Sequence, residues 1–251
     1  MQKREGRRDP SFFWSGLLPV GAVVAFFLMA VLKLPFLQAI WGAVPFIVLF
    51  VVGPFWGRRS LRDFDQRAVS FLARNDHRGL RRLYDRAVGM RLFAPPAMAA
   101  ERLGMVESEA GRHAHAIRAY RRALAGYENE ASAPTSVTLG FAHAAFELKR
   151  YPEASEMYRR LLPSSRALPL VKRNLAESLI HQEEAIREGL GLLEEALRER
   201  PSDEERGQLE LLQALGLARI GEKKNARKLL RDSSLDSEWA EELREHIEEA
   251  L

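Results

Sequence analysis

The side chains able to do chemistry in this 251-residue chain are six histidines, several paired glutamates and scattered serines; there is no cysteine. His113 and His115, in "RHAHA", lie two apart at the start of a helical stretch, so they diverge around the helix instead of converging on a metal. His77, His143, His181 and His246 each fall in a different helical hairpin or in the last helix. The pairs Glu183–Glu184, Glu194–Glu195 and Glu241–Glu242 are chain neighbours on solvated faces, whereas acid–base catalysis needs groups held at a reacting centre from separate positions. No serine stands in a nucleophile elbow, and no glycine-rich stretch has phosphate-loop spacing. Without cysteine there is no thiolate nucleophile, disulfide or thiolate-bound zinc. These residues predict binding in place of catalysis: no enzyme, no cofactor and no metal.

What must position the binding residues begins with an apolar block. Phe12 to Leu32 contains 21 residues without a charge, and Leu34 to Gly57 contains 24. At about 1.5 Å per residue, either run is long enough to cross a hydrocarbon core of about 30 Å. The break, "LKLPFL", with Lys33 and Pro35, predicts an antiparallel transmembrane hairpin. A cleaved leader would need small residues near Leu28–Met29–Ala30 and no second apolar run behind it. No acid or base interrupts either span, so an ion path has nothing to run on.

The overall charge of +4 is unevenly placed. Lys3, Arg4, Arg7 and Arg8 precede the apolar block. Ten arginines, against Asp63, Asp65, Asp76 and Asp85, occupy residues 58–91, and Lys33 is alone in the turn. The positive-inside rule puts both termini in the cytoplasm. Phe12, Phe13, Trp14, Phe55 and Trp56 then share one interface. Because the basic cluster flanks apolar sequence, the expected anionic partner is a lipid headgroup and not a nucleic acid, with Arg58, Arg59 and Arg62 at the membrane surface. A composition rich in arginine, alanine and leucine without cysteine points to a bacterial source, and with that orientation the expected location is the bacterial inner membrane.

Beyond residue 58 the apolar residues recur at helical spacing, and Pro95, Pro96, Pro134, Pro152, Pro163, Pro169 and Pro201 mark the gaps. A finer period is superimposed. From Gly104 the steps are seven to Gly111, five to Ala116, four to Tyr120 and three to Ala123. They recur from Ala142 through Lys149, Ala154 and Tyr158 to Leu161, and from Ala68 through Asn75, Leu80 and Tyr84 to Ala87. Ala214, Gly221, Ala226 and Leu230 repeat the first part. The run from Ala176 carries one extra residue, through Glu183, Gly189, Leu193 and Ala196. The leading small residues stand 36, 38, 34 and 38 apart. A small residue lets the second helix of a hairpin approach the first, and a left-handed residue such as Gly111 ends the first helix. The tyrosine fills the gap to the next hairpin, and stacking buries the faces that no hairpin covers alone.

Gly104, Gly111, Ala116, Tyr120 and Ala123, with "LKRYPEASEMYRRLL" (148–162) as a second match, resemble the tetratricopeptide repeat family. Leu80, Leu230 and Ser233 depart from its pattern, and the resemblance covers residues 60–235. It implies an all-α solenoid whose first helices line a concave groove for a peptide or helix. On the matching positions the lining comprises Met98, Glu101, Met105, Leu139, His143, Phe146, Arg173, Glu177 and Ile180. The family's clamp for chaperone tails needs lysines and asparagines there, which only Arg173 and Asn174 approach, so that ligand is not implied. In "SEWAEELREHIEEAL" (237–251), Trp239, Leu243, Ile247 and Leu251 form one stripe, as a capping helix requires.

The expected organisation is a basic N-terminus (1–11), a transmembrane hairpin (12–57), tetratricopeptide-like repeats (58–235) and a capping helix (236–251). The expected role is a membrane-anchored scaffold binding a protein partner at the cytoplasmic face. Two other readings stay open: a subunit of a larger membrane complex that works through its spans, and an envelope-assembly protein whose solenoid faces the other side.

Overall fold

The computed structural model describes residues 52–127, 132–163, 168–233 and 237–251. Both expected spans lie outside these residues apart from 52–57. Among the described residues no helix is long and apolar enough to cross a membrane.

The helices are α1 (Gly53–Leu72), α2 (His77–Arg86), α3 (Val88–Phe93), α4 (Pro96–Glu109), α5 (His113–Ala125), α6 (Thr135–Glu147), α7 (Tyr151–Leu161), α8 (Leu168–Ile180), α9 (Ile186–Arg198), α10 (Asp203–Arg219), α11 (Lys223–Asp232) and α12 (Glu238–Ala250), with a 3-10 turn at Glu183–Ala185. Prolines sit in first turns, at Pro54, Pro96 and Pro152, where no backbone donor is lost. Ser202 accepts from the Glu205 amide while the Glu205 carboxylate accepts from the Ser202 amide, a reciprocal cap that starts α10.

The repeated turn is one geometry used four times. Asn75, Gly111, Lys149 and Gly221 all have positive φ, between 52° and 87°. In each case the next residue's amide bonds back five residues: Asp76 to Phe71, Arg112 to Glu107, Arg150 to Ala145 and Glu222 to Leu217. This bond closes a helix C-terminus through a left-handed residue. The α8–α9 hairpin, with its extra residue, replaces the turn by the 3-10 segment.

The described residues form two compact units, 52–112 with 118–127 and 132, and 113–117 with 133–163, 168–233 and 237–251. In the first, Phe64, Ala68, Leu80, Tyr84, Met90 and Val106 make the core, and Phe64 meets Tyr84 edge-on at 6.1 Å. Tyr120 lies on Gly104 so closely that a Cβ there would come within 2.7 Å of Cε1. Two features were not legible in the sequence. Residues 88–93, which lie between the repeat steps ending at Ala87 and the gap at Pro95, form α3. And α1 begins at Gly53, inside the run read as the second span: Gly53 and Gly57 are buried against Phe93. Glycines four apart expose one strip of bare backbone, and α3 fills it.

The second unit stacks the hairpins α6–α7, α8–α9 and α10–α11. Tyr158, Leu175, Leu179, Leu193, Leu211, Leu212 and Leu215 are fully buried within it. Helix α12 buries Ala240, Leu243 and Ile247, with Trp239 and Leu251 partly covered. It packs mainly on α10, the first helix of its hairpin.

Candidate protein-binding surface

In the second unit the first helix of the middle hairpin, α8, carries Arg173, Glu177 and His181 four residues apart, which places them on one face. Arg173 donates to Gln208 on α10 and to Asn174 beside it, and Asn174 donates to the Tyr158 hydroxyl at 3.4 Å. Arg173 also borders a shallow pocket with Leu170, Pro201, Ser202 and Glu205.

Glu177 is 8% exposed. Burial pushes its carboxyl up to about 7, and the nearby Arg173 charge and a hydrogen bond from the Trp239 indole only partly offset the desolvation. The opposite happens one turn on. Burial, and after it the electrostatic influence of Arg219, His246 and Lys149, drives His181 down to about 4, leaving it a neutral ring. That ring stacks on Tyr151 at 4.4 Å with planes 9° apart, and Tyr151 meets Phe146 edge-on at 5.6 Å. The row is fixed from behind. Gln182 donates to the Tyr151 carbonyl, the Ser155 hydroxyl and the Ser178 carbonyl, and Arg219 donates to the Ile180 carbonyl at 2.8 Å.

The expected groove residues therefore separate. Leu139 and Phe146 are half-buried and His143 is exposed, so this part of α6 offers an open apolar surface. His143 stands 3.8 Å from Glu147, and its ring centre is 6.5 Å from that of His113. Ile180, at 0% exposure, belongs to the core with Leu190 and Leu215, because its position on α8 turns toward α9 and α10. Glu177 is covered in turn by Trp239 of α12. Tyr151, His181 and Trp239 were not foreseen as neighbours of Glu177. The four-residue spacing of Glu177 and His181 was the one signal available.

In the first unit, Met98 and Met105 are half-buried, and Met105 packs on the core. Glu101 is buried and ion-paired with Arg102, which also grips Asp65 with two hydrogen bonds of 2.8 and 2.9 Å. Glu107, 5% exposed, lies between Arg81 and Arg112. Burial works to raise its carboxyl, yet the hydrogen bonds and charges of the two arginines outweigh it and hold the group below the ordinary range. Arg58, Arg59 and Arg62 are exposed, and among the described residues none makes an ion pair. The described residues hold no cluster of three metal-ligating side chains.

No family model and no curated protein matches the chain. Among solved structures it is similar to the one described as "Functional Characterization of Pseudomonas Aeruginosa pilF", with a TM-score of 0.55 at 18% identity, over 77% of this chain and 90% of that one. The fold is a tetratricopeptide-like α-solenoid. At that identity the likeness is one of architecture, and the surface chemistry is this chain's own.

Proposed function

We propose that the protein is a membrane-anchored scaffold whose helical repeats hold a protein partner at the cytoplasmic face of a bacterial inner membrane. The observation that carries this reading is the join. Helix α1 starts at Gly53, inside an uncharged run long enough to span a bilayer, so the repeats follow the apolar run without a linker. Stacked helical hairpins are suited to taking up a helix or an extended peptide. The surface that suits a partner comprises Leu139, His143 and Phe146 with Tyr151, and separately Met98 and Met105. Arg58, Arg59 and Arg62 meet anionic headgroups.

The experiment is affinity capture of the full chain from detergent extract, compared with Phe146→Glu and Met105→Glu variants. A partner retained by the parent and lost from Phe146→Glu supports the reading; undiminished capture by both variants removes this surface from it. A compartment-specific reporter fused after Leu251 tests the cytoplasmic placement, and activity on the outer side would reverse it.

A further inference from the structure

One end of the first unit combines exposed apolar side chains with arginines that make no ion pair among the described residues. Gly89 lies against Trp56 and Ser60, and Phe93 lies against Gly53 and Gly57. Helix α3 therefore runs antiparallel to α1, and its last turn sits beside the first turn of α1. That arrangement brings Leu92, 68% exposed, to the same end as Phe55, 71% exposed, with Val52 and Trp56 half in solvent. Phe55 and Leu92 are the two most exposed large apolar side chains among the described residues. Burial inside this unit does not account for them.

The charge around that end is equally specific. Phe55, Arg59 and Arg62 recur at four and three residues, on the face of α1 opposite Gly57, with Arg58 alongside. At about 1.5 Å per residue, the two arginines stand roughly 6 and 10 Å along the axis from Phe55. This matches the depth of about 5–10 Å over which interfacial helices bury apolar residues while basic ones remain at the phosphates. Arg91, next to Leu92, is engaged otherwise: it donates to the Asp85 carbonyl and lies over the Tyr84 ring.

We propose that this end is a bilayer-docking foot, in which Phe55, Trp56 and Leu92 enter the headgroup–acyl boundary of an anionic membrane while Arg58, Arg59 and Arg62 bind lipid phosphates. The proposal rests on the membrane-anchored reading and deepens it: the first hairpin is seated on the bilayer through α3 as well as through the chain entering α1. Charge complementarity and continuity with the uncharged run ending at Gly57 select a lipid surface over a protein as occupant.

The chain has no cysteine, so a single introduced one reports cleanly. Full-length Leu92→Cys, labelled with an environment-sensitive nitrobenzoxadiazole, is reconstituted in phosphatidylcholine vesicles with about 30% phosphatidylglycerol. The reference label is at Arg74→Cys, exposed just past the far end of α1, roughly 30 Å away. Blue-shifted emission and quenching by headgroup-proximal spin-labelled lipid, at least about threefold above the reference, is expected. Adding Arg58→Gln, Arg59→Gln and Arg62→Gln should lower that quenching, and so should Phe55→Glu. A Leu92 label that behaves like the Arg74 label overturns the foot, whatever else the protein binds. Carbonate washing of the same vesicles reports the anchor separately. Quenching that persists in protein which carbonate extracts keeps the foot and removes the anchor. Carbonate-resistant protein with an unquenched label does the reverse.

Discussion

Each unit buries a glutamate, and the two are treated in opposite ways. In the first unit Glu107 is held ionised by Arg81 and Arg112. In the second, Glu177 is about as little exposed to solvent as Glu107, but the neighbouring Arg173 is shared with Gln208 and Asn174, and burial raises its carboxyl toward neutrality. The two differ in compensation more than in surface exposure. A carboxylate taken from water stays charged only when opposing charge and hydrogen bonds repay its hydration. The first unit keeps a fixed charge network inside and sends its spare arginines to the surface. The second keeps a nearly neutral patch of Glu177, His181, Tyr151 and Phe146, whose charge state responds to pH.

The same substitution in both units should break the symmetry most sharply. Glu107→Gln leaves two half-exposed guanidinium groups around a neutral amide, and unfolding in urea, followed by circular dichroism in mild detergent, should show a loss of about 2 kcal/mol at pH 7. Glu177→Gln should have the opposite sign at high pH. The folded-state pKa of Glu177, about 7, lies above its ordinary 4.5. Its contribution is therefore fully present below 4.5 and is lost as pH rises through 7. At pH 8 the variant should be more stable than the parent, by about 2 kcal/mol. Equal destabilisation by both substitutions would erase the contrast.

His181 sharpens the comparison within the second unit. Its folded-state pKa, about 4, lies below the ordinary 6.5, so its contribution is present above 6.5 and is lost as pH falls toward 4. Between about pH 4.5 and 6.5 the two groups oppose each other, and the parent's stability should be nearly flat. Glu177→Gln should then gain stability with rising pH across that window, and His181→Asn should lose it. A parent that changes steeply there would mean the two groups are not balanced.

The smallest effects are at the shared turn. Gly111 of the first unit and Lys149 of the second adopt the same left-handed conformation, with φ of 69° and 58°. Gly111→Ala should cost about 1 kcal/mol by thermal unfolding, while Lys149→Gly should gain about 0.5–1 kcal/mol. Changes of the same sign would show that something other than backbone strain sets the turn.

The turns and the buried repeat positions were legible because the hairpin is a local unit. Asn75, Gly111, Lys149 and Gly221 fall at the residues where the recurring steps place them, and Tyr84, Tyr120 and Tyr158 are buried as the spacing requires. The surroundings of the candidate surface were legible only in part. Spacing along α8 puts Glu177 and Ile180 on or near the groove side of one helix, but it carries no information about what packs over them.

The sequence by itself determined the helical class, the hairpin period and the left-handed turns, since these depend on contacts within a few dozen residues and on backbone conformations that few residue types adopt. Tertiary structure alone decided that Trp239 reaches Glu177, that Phe146, Tyr151 and His181 form one aromatic row, and that Leu92 stands at the same end as Phe55. Exposure and proton affinity belong to a site's surroundings, and those surroundings come from helices distant in the chain.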